Sequence, residues 1–242
     1  MIEKEGLILS LSEYKDRDAL VYFLSKEGLQ TIYARGIQSV ASKNKRLCNP
    51  FSYVRLTLDH KETRKMDYLI RGDLLAYYYK IQEDLFAQSL CFVLRDCIIR
   101  SAFTPLVYSY LFACWNSFQK EDGKAISYAC LILATLLKKE GIAPFVEGCV
   151  RCGSQQGIET VSLREGGFLC KDCNQKEKAW KKDELRKFRS LFIVKREVVE
   201  TFMEVYTYSI SDFLYLAFWF EQYAHVQLSS LQFLKSIEKM YV

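Results

Sequence analysis

From residue 1 to about residue 70, apolar and polar positions exchange over short distances, the two-residue period of half-buried strands. Leu7, Leu9 and Leu11 alternate with Ile8 and Ser10 before the polar turn Lys15-Asp16-Arg17-Asp18. Ala19–Leu24 follows, then Ser25-Lys26-Glu27-Gly28, where the glycine suits a tight reversal. Leu29–Ala34 is rich in the β-branched and aromatic residues that favour strands. After a polar stretch over Gly36–Asn49, Phe51–Leu58 and Tyr68–Ile70 complete the series. Five short strands separated by turn residues predict a small barrel or sandwich.

Near Asp73 the period changes. Leu90, Val93, Leu94, Cys97 and Ile98 recur at helical spacing within Leu85–Phe118, which Pro105 divides into two helices. A further helix is expected over Lys124–Lys139, stopped by Gly141 and Pro144, and others over Lys181–Leu191 and Ile210–Val242. The switch of period puts a boundary near residues 75–80, giving units 1–78 and 79–242. Trp115 and Phe118 are aromatics of the helical part that could be exposed to a partner.

Half of the 242 residues are hydrophobic and the mean hydropathy is near zero, enough for a sizeable core. The N-terminus, Met1-Ile2-Glu3-Lys4-Glu5, is too polar for a signal peptide. The longest uncharged run, Ser101–Gln119, contains Thr104, Pro105, Ser109, Asn116 and Ser117, so no membrane span is expected. Nine cysteines, an odd number, argue against a disulfide framework and for a reducing, cytoplasmic setting.

Four of those cysteines are patterned. Cys149 and Cys152, then Cys170 and Cys173, form C-x2-C-x17-C-x2-C, two thiolate pairs that a connecting hairpin can close around Zn²⁺. Gly153, Gly166 and Gly167 would let the backbone bend toward the metal. Four free thiols or a [4Fe–4S] cluster are the alternatives. With every position filled by sulfur, one zinc per chain would be structural and not catalytic. Cys91, Cys97, Cys114 and Cys130 sit on apolar helical stretches as expected core residues, and Cys48 lies in an expected loop with no base beside it.

The net charge of +5 permits a polyanionic partner without requiring one. Charge is uneven, however: between Lys26 and Arg71, ten basic residues face four acidic ones. Arg35, Lys43, Lys45, Arg46, Arg64 and Lys65 fall between or beside strands and are candidate phosphate contacts. Tyr33, Phe51, Tyr53 and Tyr68 could offer faces to unpaired bases, although strand aromatics more often pack inward. A second basic run, from Lys176 through Lys178, Lys181, Lys182, Arg186, Lys187 and Arg189 to Arg196, either extends that surface or is a solvated face.

Support for catalysis is slight. His60 and His225 are the two histidines, neither beside a nucleophile, and neither a phosphate-binding nor a dinucleotide-binding glycine loop occurs. Asp16-Arg17-Asp18 lacks further acids or histidine to complete a metal site.

In chain order, Gly6–Leu9, Tyr14–Asp18, Leu29–Gly36 with Ala34-Arg35-Gly36, Leu47-Cys48-Asn49-Pro50-Phe51, the two cysteine pairs and Leu234-Lys235-Ser236 resemble the RecO recombination mediators. The resemblance implies an α+β chain: an N-terminal five-stranded OB-fold barrel, then a larger helical domain carrying a four-cysteine zinc insertion at about 145–178. It further implies binding of single- and double-stranded DNA, strand annealing, and loading of RecA with RecR onto strands covered by single-stranded DNA-binding protein (SSB). The SSB C-terminal tail would dock on the helical domain, with Arg95 and Arg100 as candidate cations. The competing expectation is a zinc-stabilised protein–protein adaptor that does not touch DNA, with a nuclease as a third.

Overall fold

The computed structural model describes residues 1–241. Five strands, β1 (Ile2–Tyr14), β2 (Asp18–Ser25), β3 (Leu29–Ala34), β4 (Ser52–Asp59) and β5 (Asp67–Tyr77), close into a barrel in the order β1-β2-β3-β5-β4. β4 returns antiparallel to β1, and β3 meets β5 in parallel, the closure of an OB-fold. Ile8, Val21, Phe23, Ile32, Val54, Leu56 and Leu58 fill its interior.

Strand β1 departs from simple alternation because both of its faces are covered. Ile8 points into the barrel, while Leu7 and Leu9 join the core of the helices outside it. Gly6 permits the close pairing this requires, since a Cβ there would lie 2.4 Å from the Leu24 carbonyl oxygen. The Gly36–Asn49 stretch is not wholly polar surface: Ile37, Leu47 and Cys48 plug the barrel, the last two on a 3-10 turn over Lys45–Cys48. Burial pushes the Cys48 thiol up to about 12, which leaves it an unreactive core group.

Two strand expectations need correction. β5 runs eleven residues to Tyr77, not three, so the strand period persists beyond Asp73. Its outward Ile70, Leu74 and Leu75 are exposed and mask the alternation that would have marked it. Phe51 stands before β4 with φ of +64°, and turns its ring out of the barrel against Phe92 and Trp115 at 5.4 and 5.5 Å between centroids.

The helices are α1 (Tyr79–Glu83), α2 (Leu85–Ile99), α3 (Pro105–Lys120), α4 (Ala125–Lys139), α5 (Lys182–Ile193), α6 (Val199–Val205), α7 (Ile210–Tyr223) and α8 (Ser229–Tyr241). Pro105 does divide the apolar stretch, standing at the start of α3 while Thr104 accepts from the Leu106 amide. α4 is buried on nearly every side, as a helix apolar all round should be. The expected single helix over Ile210–Val242 is two. The chain turns at His225 (φ +53°), and the Glu221 carboxylate accepts from the Leu228 amide at 2.7 Å. Ser230 on α8 donates to Asp96 on α2, tying the last helix to the first long one. Trp115 is buried and Phe118 half-buried against the core, so neither is the exposed aromatic the sequence suggested. Among the described residues, no helix is long and apolar enough to cross a membrane.

Candidate metal centre and nucleic-acid interface

Between α4 and α5 lies a hairpin of β6 (Ile158–Ser162) and β7 (Gly167–Cys170). Each cysteine pair occupies a tight turn. The Gly153 amide closes on the Cys149 carbonyl at 2.8 Å, and the amides of Cys173 and Asn174 close on the Cys170 carbonyl at 3.1 and 2.9 Å. Gly153, at φ +75°, supplies the left-handed residue that ends the first turn. Gly167 serves a different purpose from the one expected: a Cβ there would lie 2.3 Å from the Phe145 carbonyl oxygen, so it lets the hairpin lie flush against Phe145.

These turns bring the sulfurs of Cys149, Cys152, Cys170 and Cys173 within 4.8 Å of one another, with Cys152 and Cys170 3.6 Å apart. Tetrahedral Zn–S bonds of about 2.3 Å would separate the sulfurs by about 3.8 Å, so the donor set fits that ion. Burial disfavours the Cys149 thiolate, but the amides of Cys170, Cys152 and Arg151 turned toward the sulfur outweigh it and bring it down to about 6. Hydrogen bonding to its neighbours Cys170 and Cys152 pushes Cys173 up to about 12, favouring a proton that a bound divalent cation would displace. Arg151 lies against the cluster, donating to the Cys173 carbonyl and holding Glu165 in a two-pronged pair at 2.9 and 3.2 Å.

The hairpin has almost no core of its own, its buried apolar cluster being Cys149, Leu169 and Cys170. Helix α7 anchors it. Tyr215, Trp219 and Tyr223, spaced four apart on one face, donate to the carbonyls of Val161, Ile142 and Leu163 at 3.3, 2.9 and 2.7 Å. From α5, Arg189 donates to the Val146 carbonyl and pairs with Glu147. A groove of about 750 Å³ runs between hairpin and α5, with Ile158, Phe168, Trp180 and Leu185 on its floor and Lys171, Lys182, Arg186 and Arg189 around it.

The other predicted residues surround the barrel. Arg35 is exposed just past β3, and Lys43, Lys45 and Arg46 are exposed on and before the 3-10 turn, where Asn44 anchors the loop by donating to the Ile70 carbonyl at 3.0 Å. Lys65 is exposed in the β4–β5 loop. Arg64 differs: it pairs with Asp59 at 2.5 Å and lies over the Tyr68 ring at 4.3 Å from its centroid. Five of the six cations therefore point to solvent, and one is bound in place. Arg95 is also engaged, pairing with Asp96 and covering Phe92, and Arg100 donates to the Asp96 carbonyl.

The candidate stacking aromatics separate into two groups. Phe51 is buried, and Tyr53 packs on Phe112 with its hydroxyl donating to Glu5, so neither is free for a base. Tyr33 and Tyr68 sit side by side on the barrel's outer surface, 4.8 Å between centroids. Tyr14, which sequence reasoning missed, extends that pair at 5.9 Å. The signal was a tyrosine at the end of β1 beside the first loop, easily taken for part of the turn. His60 is exposed at the end of β4 and meets Asp67 at 2.7 Å, with no nucleophile attached.

Residues 1–78 match the family described as Recombination protein O N terminal, and residues 81–189 match Recombination protein O C terminal. The chain is 30% identical over 182 residues to the DNA repair protein RecO of Oceanobacillus iheyensis, covering 72% of this chain and 68% of that protein. Against the DNA repair protein RecO of Exiguobacterium sibiricum it is 27% identical over 184 residues, 73% of this chain and 72% of that one. For the DNA repair protein RecO of Bacillus subtilis the figures are 26% over 179 residues, 72% and 69%.

Proposed function

Because this chain belongs to the RecO family of DNA repair and recombination proteins, we propose that it is a mediator that binds single- and double-stranded DNA, anneals complementary strands and, with RecR, helps load RecA onto SSB-coated strands. The observation that carries this reading is the barrel, matched over its whole length and bordered by cations that point to solvent. Arg35, Lys43, Lys45, Arg46 and Lys65 would neutralise phosphates and release counterions, and Arg64 would act from its fixed place over Tyr68. The mediator performs no bond chemistry of its own. One Zn²⁺ held by Cys149, Cys152, Cys170 and Cys173 would order the hairpin and leave no open coordination position.

Changing Lys43, Lys45 and Arg46 together to alanine is expected to weaken single-strand binding and to flatten its dependence on salt. Three lost phosphate contacts reduce the log–log salt slope by about 2. Titration of a labelled oligonucleotide at several salt concentrations reads this directly. An unchanged slope would mean that these side chains face solvent in the complex too, and a wild-type protein with no affinity at low salt would overturn the DNA-binding reading.

The adaptor reading keeps one specific support, the groove between hairpin and α5. An apolar floor with Lys182, Arg186 and Arg189 along the α5 wall, facing Lys171 and Glu159 on the hairpin, suits an acidic peptide bearing bulky apolar residues, the chemistry of the SSB tail. That partner fits alongside DNA binding and does not replace it. Lys182→Glu with Arg186→Glu is expected to lower affinity for a labelled SSB-tail peptide at least tenfold while leaving zinc content unchanged. Equal peptide affinity in the variant would remove the groove from consideration.

A further inference from the structure

We infer that Tyr14, Tyr33 and Tyr68 form a stacking surface for unpaired bases, and that this surface makes the barrel prefer single strands to duplex. The inference rests on the DNA-binding reading and deepens it by naming the form of DNA the site takes.

Three tyrosines from β1, β3 and β5 stand in a row on the barrel wall, with centroid separations of 5.9 and 4.8 Å. They take no part in either large core: Tyr22 and Tyr53 pack against the helical cluster and Ile2, Leu11 and Leu69 against the barrel interior, but these three pack against neither. Tyr14 is 40% exposed and Tyr68 39%. Tyr14 and Tyr68 are thus more exposed than the partly buried Tyr33 between them.

The row is nonetheless held in position. The Tyr33 hydroxyl donates to the Asp18 carboxylate, which also accepts from the Gly36 amide at 2.7 Å. The Tyr33 hydrogen bond, followed by that amide, holds Asp18 below its ordinary range and keeps it charged. Tyr33 is thus pinned at the centre, with Tyr14 and Tyr68 fixed against it. At one end the planar Arg64 guanidinium lies 4.3 Å from the Tyr68 centroid, and at the other Lys15 lies 5.4 Å from Tyr14. An aromatic row ending in a cation at each side presents faces to bases and charge to the phosphates beside them.

Charge alone does not account for the site. Asp59 holds Arg64, but the two loops carry Lys15, Arg17, Lys61, Arg64 and Lys65 against Asp16 and Glu62, a positive charge that would attract single strand and duplex alike. Stacking is what distinguishes the occupant: a single strand can turn bases onto the rings, whereas in duplex those faces are already stacked on each other.

The test compares wild type with Tyr14→Leu/Tyr68→Leu and with Tyr14→Phe/Tyr68→Phe, all full-length and zinc-loaded, on labelled oligothymidine, an abasic oligomer of equal length, and duplex. The leucine variant is expected to lose about tenfold or more in affinity for oligothymidine. Its salt slope, its binding to the abasic oligomer and its binding to duplex stay those of wild type, and the phenylalanine variant restores the loss. Unchanged oligothymidine affinity in the leucine variant would overturn the inference. So would an equal loss on the abasic oligomer, which would assign the effect to charge or folding. If wild type binds no DNA at all, the DNA-binding reading falls first and the stacking surface with it.

Discussion

Replacing Cys170 with serine is expected to reduce bound zinc from one equivalent per chain to near zero and to unfold the β6–β7 hairpin. The size of the effect follows from how small the segment's own core is. Its separate buried cluster is three residues, two of them cysteines, while Val161 and Phe168 pack on the helical core and α7 docks it from outside, so zinc would supply most of the free energy of closing the two cysteine turns. In small four-ligand domains, structural zinc contributes on the order of 10 kcal/mol or more to folding. A serine hydroxyl at position 170 cannot offer a thiolate, and three sulfurs with an open position bind zinc far less tightly. Protons compete with the ion for all four sulfurs, so affinity should fall as pH is lowered. Metal analysis alongside limited proteolysis measures both consequences, with cleavage expected inside 150–175 and a resistant barrel. Cys97→Ala, a buried helical thiol remote from the cluster in the fold, should retain full zinc. Unchanged zinc in Cys170→Ser would refute the site.

The cysteine pairs were readable because their meaning is local: two residues between thiolates fixes a turn whatever the rest of the chain does. The barrel was readable for a similar reason, since β2, β3 and β4 have alternating or continuous apolar runs bounded by turn residues. What escaped depended on which surface lay opposite. β5 looked like three residues because its outer face carries Ile70, Leu74 and Leu75 where a polar face was expected. Phe51 and Tyr53 resemble Tyr33 and Tyr68 in sequence, yet the first two meet helices and the last two meet water; only the packing of α2 and α3 on the barrel decides this. The turn at 224–228 contains neither glycine nor proline, and a left-handed histidine is not a signal a sequence advertises. Likewise Tyr215, Trp219 and Tyr223 read as an apolar helix face, with nothing to show that their polar atoms reach carbonyls more than fifty residues away.

That ladder makes Trp219→Ala the most damaging single change expected in the helical part. The indole is fully buried, stacks on Tyr223 at 5.0 Å between centroids and donates to the Ile142 carbonyl where the chain leaves α4. Truncation opens a cavity the size of the ring and leaves that carbonyl without its donor. Removal of a buried tryptophan costs about 3–5 kcal/mol, and each kcal/mol shifts Tm by about 2–4 °C at this chain length, so a fall of roughly 6–20 °C is expected. Trp219→Phe separates the two contributions: it keeps a stacked ring but loses the hydrogen bond, at a cost of about 1–3 kcal/mol. Zinc content is the second readout. If the metal closes the hairpin and α7 only docks it, Trp219→Ala should melt early yet retain its zinc, the reverse of a segment whose fold depends on the helix. Thermal unfolding with metal analysis on the same samples decides between them: loss of zinc together with Tm would mean that the hairpin cannot form the site without α7, and an unchanged Tm would mean that the ladder holds nothing.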